Sequence, residues 1–204
     1  MSKIKLPHSS GNSVSIAAPQ SNPASDRTLY LPSNADGTVL TTTYAKAGNI
    51  LQVVSAEKTD TASTNSTSYT DIAGLSLTLT PSSSSSKILV MADIKYGASD
   101  GGQEVFLRAV RGSTVIYVGT SVSNRTACFF GTEDTDDTRA PYEMRQASAN
   151  FLDSPSTTSA TTYKVQFAVG GSSNTAYVNR TGSDGDSVGF PRTASSIIAM
   201  EVAG

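Results

Sequence analysis

Apolar and polar positions alternate in short runs over most of this chain. Leu75, Leu77 and Leu79 are separated by Ser76 and Thr78, and the run stops at Pro81. Tyr163, Val165, Phe167 and Val169 alternate with Lys164, Gln166 and Ala168. A period of two is the mark of a strand with one buried face. Residues 87–96 are almost continuously apolar, which predicts a central strand covered on both faces. Residues 105–110 and 115–118 flank Arg111-Gly112-Ser113 and predict a hairpin. Residues 175–178 follow a turn at 170–174 and predict a second hairpin with the strand before it. Residues 50–54 and the closing Ile197, Ile198, Met200 and Val202 add two more strands. Helical periodicity is nearly absent. The best helix candidate, 140–150, contains Pro141 and reads as loop or one helical turn. Ser82 to Ser86 is a run of five serines that reads as a solvated turn. About eight to ten short strands joined by turns predict an all-β chain. Over residues 49–204 the expected fold is an antiparallel jelly-roll β-sandwich.

Residues 1–48 follow a different pattern. Val14 and Ile16 alternate with Ser13 and Ser15, and Leu29 and Leu31 flank Tyr30. Turn-forming clusters separate these sets, at Ser10-Gly11-Asn12, Asn22-Pro23 and Ala35-Asp36-Gly37. Strands this short and isolated bury no core of their own. The segment is expected to be either a flexible leader or an extended arm packed against other chains.

Composition narrows the function. There are 32 Ser and 25 Thr, so 57 of 204 positions carry a small hydroxyl. Charged residues are 16% and the net charge is −2. Such a surface, with no basic cluster, argues against nucleic acid as the partner. His8 is the only histidine, so a multi-histidine metal site within one chain is excluded, and three copies meeting on an axis would be needed to build one. Cys128 is the only cysteine and is read as a small buried residue, with no intrachain disulfide. No stretch approaches the ~18 apolar residues of a membrane span, and the start has no apolar signal region. No membrane insertion, no cofactor and no metal are expected. A sandwich this hydroxyl-rich gains stability by burying apolar faces between copies, so a homo-oligomer is expected.

Candidate chemistry is sparse. Glu133, Asp134, Asp136 and Asp137 form the one dense acidic run, but they lack the spacing of a calcium loop and read as a solvated loop tip. Asp184 and Asp186 read as a turn or a cation loop. Glu104, Glu143, Glu201 and the acidic run are available for paired-carboxylate hydrolysis of a polysaccharide, which requires ~5–9.5 Å between carboxyl groups. Sugar binding without catalysis would use Tyr117, Phe129, Phe130, Tyr142 or Tyr177, each of which also fits a core or interface position. The sequons at Asn65, Asn124 and Asn179 are expected chance matches in so hydroxyl-rich a chain. Residues 119–150 are the longest irregular insertion and the expected receptor-facing surface, with Arg125, the acidic run and Tyr142 as its candidate contacts.

Several segments carry a family resemblance. Residues 22–38, NPASDRTLYLPSNADGT, resemble a repeat in fibre and shaft segments of bacteriophage virion proteins. Residues 74–96, GLSLTLTPSSSSSKILVMADIKY, resemble the opening strands of a knob found in marine phage structural proteins. FLDSP at 151–155, YVNR at 177–180 and SSIIAMEV at 195–202 are similar to further segments of the same knobs. The resemblance covers most of the chain and rests on the order and spacing of these motifs. It implies a homotrimeric, non-enzymatic fibre or spike located on the virion, with a jelly-roll head similar to the tumour-necrosis-factor or complement-C1q type. It also implies that the leader grips other virion proteins, which makes Val14, Ile16, Arg27, Leu29, Tyr30 and Leu31 the candidate attachment residues. The head would then bind a host surface glycan or protein, as a tail fibre does. The alternatives are capsid decoration or a head fibre and, as the enzymatic rival, a polysaccharide-cleaving spike.

Overall fold

The computed structural model describes residues 3–7, 11, 13–17, 46–133 and 139–204. Of residues 3–7, 13–17 and 133 it describes the backbone alone. The chain divides into two units, 1–39 and 40–204. In the first, β1 (Lys3–Pro7) and β2 (Ser13–Ala17) form an antiparallel pair. Ile4 lies opposite Ile16, and Leu6 opposite Val14.

The second unit is an antiparallel β-sandwich. Its strands are β3 (Ile50–Lys58), β4 (Ala62–Thr64), β5 (Thr70–Leu79), β6 (Lys87–Ala98), β7 (Glu104–Arg111), β8 (Thr114–Ile116), β9 (Phe130–Glu133), β10 (Arg145–Asp153), β11 (Thr161–Val169), β12 (Ala176–Val178) and β13 (Ser195–Val202). One sheet runs β10, β6, β13, β3. Beyond a gap β12 takes over from β13 beside β6, and β4 from β3 beside β12. The other runs β5, β11, β7, with β8 and β9 on the two halves of the free side of β7. Counting β3/β4, β8/β9 and β12/β13 as single interrupted strands leaves two four-stranded sheets. Their order is that of a jelly roll.

The period-two pattern works as predicted. Ile88, Val90, Ala92 and Ile94 of β6 face inward against Leu75, Leu77, Val105, Leu107, Val165 and Phe167 of the opposite sheet. Between the sheets, Tyr163 donates its hydroxyl to Asp153 (2.7 Å), and Arg111 clamps the same carboxylate at 2.7 and 2.8 Å. In β5, Gly74 adopts φ +88°, and the register with β11 shifts between Lys164 and Gln166. This bulge is why Ile72 and Leu75, three apart, are both buried.

Four expectations are corrected. Residues 87–96 are covered on one face only: Leu89 and Met91 are half-buried on the outer face. Residues 175–178 form no hairpin with β11. β12 pairs with β4 and β6 in the other sheet, and Val169 and Gly170 donate instead to Ser66 O and Glu104 O. Residues 140–150 do begin with one 3₁₀ turn at Ala140–Tyr142, but 145–150 belong to β10. Alanines 147 and 149 carry its buried face, and alanine is a weak strand signal. Residues 119–150 are accordingly not one insertion, because they contain β9 and most of β10. The hairpin around Gly112 (φ +58°) forms as read.

Candidate functional site

The last strand of the jelly roll is interrupted, and residues 179–194 leave it between β12 and β13. Asn179 fixes the base of this loop. It is fully buried with φ +63°. Its Nδ2 donates to Lys58 O (2.7 Å) and Asp60 O (2.9 Å), and its Oδ1 accepts from the Ser195 hydroxyl (2.6 Å). Ser195 in turn accepts from the Lys95 N–H (2.9 Å). The Asn179 main chain bonds to Lys95 O and accepts from Thr193 N–H. Through side chain and main chain together, Asn179 ties both ends of the loop to β3, β6 and β13. Its amide, engaged twice, is no glycan acceptor.

Glycines let the loop sit close on β6. A Cβ on Gly97 would lie 2.6 Å from Arg180 O, and one on Gly182 would lie 2.0 Å from Ala98 O. Above this base Arg180 stacks on the Tyr177 ring (3.7 Å to the centroid) and bonds to Thr181 O and Gly182 O. Asp184 receives Arg180 on one oxygen (3.3 Å) and Arg192 on the other. Ser183 N–H donates to Pro141 O (2.7 Å), joining the loop to the 3₁₀ turn. There the Tyr142 and Phe190 rings meet with centroids 5.9 Å apart. Asp184, Gly185, Asp186, Ser187, Phe190 and Arg192 line an open cleft of about 320 Å³.

One residue of the expected receptor surface reaches this cleft: Tyr142, 55% exposed, packs against Phe190 of its lining. Arg125 is exposed on the separate 117–129 loop, where its N–H donates to Val122 O. No hydrogen bond, ion pair or ring contact joins it to Tyr142 among the described residues. Glu133 ends β9 opposite Glu104, and Asp134, Asp136 and Asp137 lie outside the described residues. Val14 and Ile16 lie on β2; Arg27, Leu29, Tyr30 and Leu31 lie outside the described residues. Of the aromatic candidates, Tyr117 stacks on Phe151 (4.4 Å), Phe130 packs edge-on to Tyr96 (5.4 Å), and Phe129 packs on the core. Asp184 is more than a turn residue, because two guanidiniums hold it. Phe190 and Arg192 belong to no motif of the sequence, and Arg180 enters only within YVNR. Gly97, a glycine ending a strand beside a loop-rich segment, was the available signal of close backbone approach.

Two of the carboxylates considered for hydrolysis, Glu143 and Glu201, are far apart. Glu201, on β13, is opposite Ile88, whereas Glu143 precedes Arg145, which is opposite Tyr96. Eight residues of β6 separate those positions, roughly 26 Å at ~3.3 Å per residue. Glu143 pairs with Arg145 (3.0 Å). Glu201 is fully buried and accepts from the Ser82 N–H and hydroxyl, the Ser86 hydroxyl and the Gln52 amide at 2.6–2.7 Å. Burial pushes its carboxyl up, but these donors together outweigh that and hold it below the ordinary value. The serine turn is therefore anchored, with Ser86 buried against this carboxylate. The Cys128 thiol is half-buried, and burial raises its pKa, which disfavours the thiolate.

No protein-family profile matches the chain, and no curated protein sequence matches it. Among solved structures it is similar to a chain in the structure of infectious bursal disease virus, Gx strain, at 11% identity and a TM-score of 0.38. The similarity covers 78% of this chain and 33% of the viral one, so this chain spans about a third of that neighbour.

Proposed function

We propose that this chain is a virion structural protein that works by binding. In this reading it is a homotrimeric bacteriophage fibre or spike. Residues 1–48 attach it to other virion proteins, and the jelly-roll head faces the host surface for adsorption. The observation that carries the binding role is the cleft at 184–192, raised on a loop whose base is locked by Asn179. A rigid scaffold presenting an open polar loop is the usual architecture of a recognition site. The phage assignment rests on the motif resemblance, with which the jelly-roll strand order agrees. The non-enzymatic reading is supported by Glu201, whose carboxylate is occupied in holding a turn.

The outer face of the β3–β13–β6–β10 sheet supports self-association. Val53, Met200, Leu89 and Leu152 are in register across all four strands. Val53 and Leu152 are each 56% exposed. The next row, Ser55, Ile198, Met91 and Asn150, is uncharged. Three copies turning this face toward a common three-fold axis bury apolar surface, and these two rows bring no like charges together.

Electron cryo-microscopy of the intact particle tests the assignment. Three-fold density at the tail, with the 179–194 loops pointing outward, is the expected result. Copies spread over the capsid lattice would replace adsorption by capsid decoration.

A further inference from the structure

We propose that the cleft at 184–192 binds a neutral, hydroxyl-rich saccharide unit. One pyranose would lie against Phe190, with neighbouring hydroxyls held by Asp186 and Arg192. The inference deepens the binding reading above and rests on it.

Charge selects the ligand class. Asp184 is engaged on both oxygens by Arg180 and Arg192. The guanidinium of Arg192 has five N–H donors, and its side chain is half exposed, so donors remain for a ligand. Asp186 is exposed on the cleft wall and has no ion-pair partner among the described residues. Two arginines and two aspartates leave the site with no net charge. An anionic ligand would face the unneutralised Asp186, and a cationic one would face Arg192. A polyol meets neither penalty, since each hydroxyl can donate to the carboxylate and accept from the guanidinium.

Shape agrees. A volume of about 320 Å³ is at the lower end of the ~300–1,000 Å³ of small-ligand sites, which suits one or two sugar units. Phe190 supplies an apolar surface for sugar C–H groups, and Gly185 backs the ring closely: a Cβ there would lie 2.8 Å from it. Tyr142 extends the aromatic wall. The locked loop base reduces the ordering cost of binding.

The test is ligand-observed NMR on the full-length chain. The probes are the methyl glycosides of glucose, galactose and mannose, with N-acetylneuraminic acid as the anionic comparison. Saturable millimolar binding of at least one neutral glycoside is expected. Asp186→Ala should weaken it by about tenfold or more, the loss of a charged hydrogen-bonding group. Tyr117→Ala, which alters an aromatic residue elsewhere, should leave it unchanged. Thermal melts of both variants confirm folding. No neutral binder, equal binding by the Asp186 variant, or preference for the acidic sugar overturns the inference. Labelled chain is also applied to envelopes of cells that the particle infects. Binding there that Asp186→Ala preserves sinks the cleft proposal and keeps the adsorption reading; no binding at all sinks the adsorption reading.

Discussion

Glu201 occupies a position in β13 where the inward alternation, Ile197, Ala199, calls for an apolar side chain. Its four donors explain why a carboxylate is stable there. In Glu201→Gln the carboxamide oxygen can keep the serine donors, but its NH₂ then opposes the Gln52 amide. Gln52 would have to flip and give up its bond to Thr80 O. The variant should lose about 2 kcal/mol at neutral pH, read from urea unfolding. The pH dependence follows from the lowered carboxyl of the folded state. Above the unfolded value both states are ionised and the stabilisation is fully present. As pH falls from there through the lower folded value, the unfolded state takes up the proton first and the stabilisation is lost. The difference between wild type and Glu201→Gln should therefore shrink from pH 7 to pH 3. A difference independent of pH would mean the carboxylate charge contributes nothing. Asn179 makes a parallel case. Asn179→Ala leaves Lys58 O, Asp60 O and the Ser195 hydroxyl short of a partner and places alanine at φ +63°, so a loss of about 3 kcal/mol is expected in the same assay. A loss below about 1 kcal/mol would mean that the loop base is held by something else.

Among the elements, β5 shows how much of the fold is legible and where it stops. Leu75, Leu77 and Leu79 announce the strand by alternation, but Ile72 falls out of phase with them. Only the left-handed Gly74 restores it to the core. Gly74→Val forces a β-branched side chain into that conformation. It should cost about 2 kcal/mol through strain, although the nearest atoms to a Cβ there are 3.8 Å away and no clash arises. A thermal melt unchanged from wild type would show that the bulge moves elsewhere without cost. The same limit explains β10 and β12. Period and turn residues reveal strands, but pairing is decided by long-range burial that no local pattern encodes. β12 has the turn of a hairpin and yet crosses to the other sheet, because Ala176 and Val178 fill the space beside Tyr96 and Ala98. The cleft was harder still to read. Asp184 and Asp186 stood out as an acidic pair, but their arginines lie four residues before and eight after Asp184, and Tyr142, which packs on Phe190, comes from another segment.

For the whole molecule, the exposed ladder Val53–Met200–Leu89–Leu152 and the weak chemistry of the cleft bear on one another. A saccharide held by one carboxylate, one guanidinium and one ring binds in the millimolar range. Several linked heads raise the effective affinity by ~10²–10⁴ when they reach the same surface. The ladder supplies a means of linking them, because an uncharged apolar row from edge to edge of a sheet is unusual on a chain with 57 small hydroxyls. The wild-type chain, 21.1 kDa as a monomer, should run at three times that mass in light scattering. Leu152→Asp puts a charge on a residue already 56% exposed, so the folded monomer tolerates it, whereas an interface burying it does not. The variant should fall to the monomer mass with its circular dichroism spectrum unchanged, and should lose binding to cell envelopes while keeping the millimolar glycoside affinity. A variant that stays trimeric would move the interface off this face. A wild-type monomer would remove avidity altogether, and the cleft would then have to be far tighter than its few contacts allow.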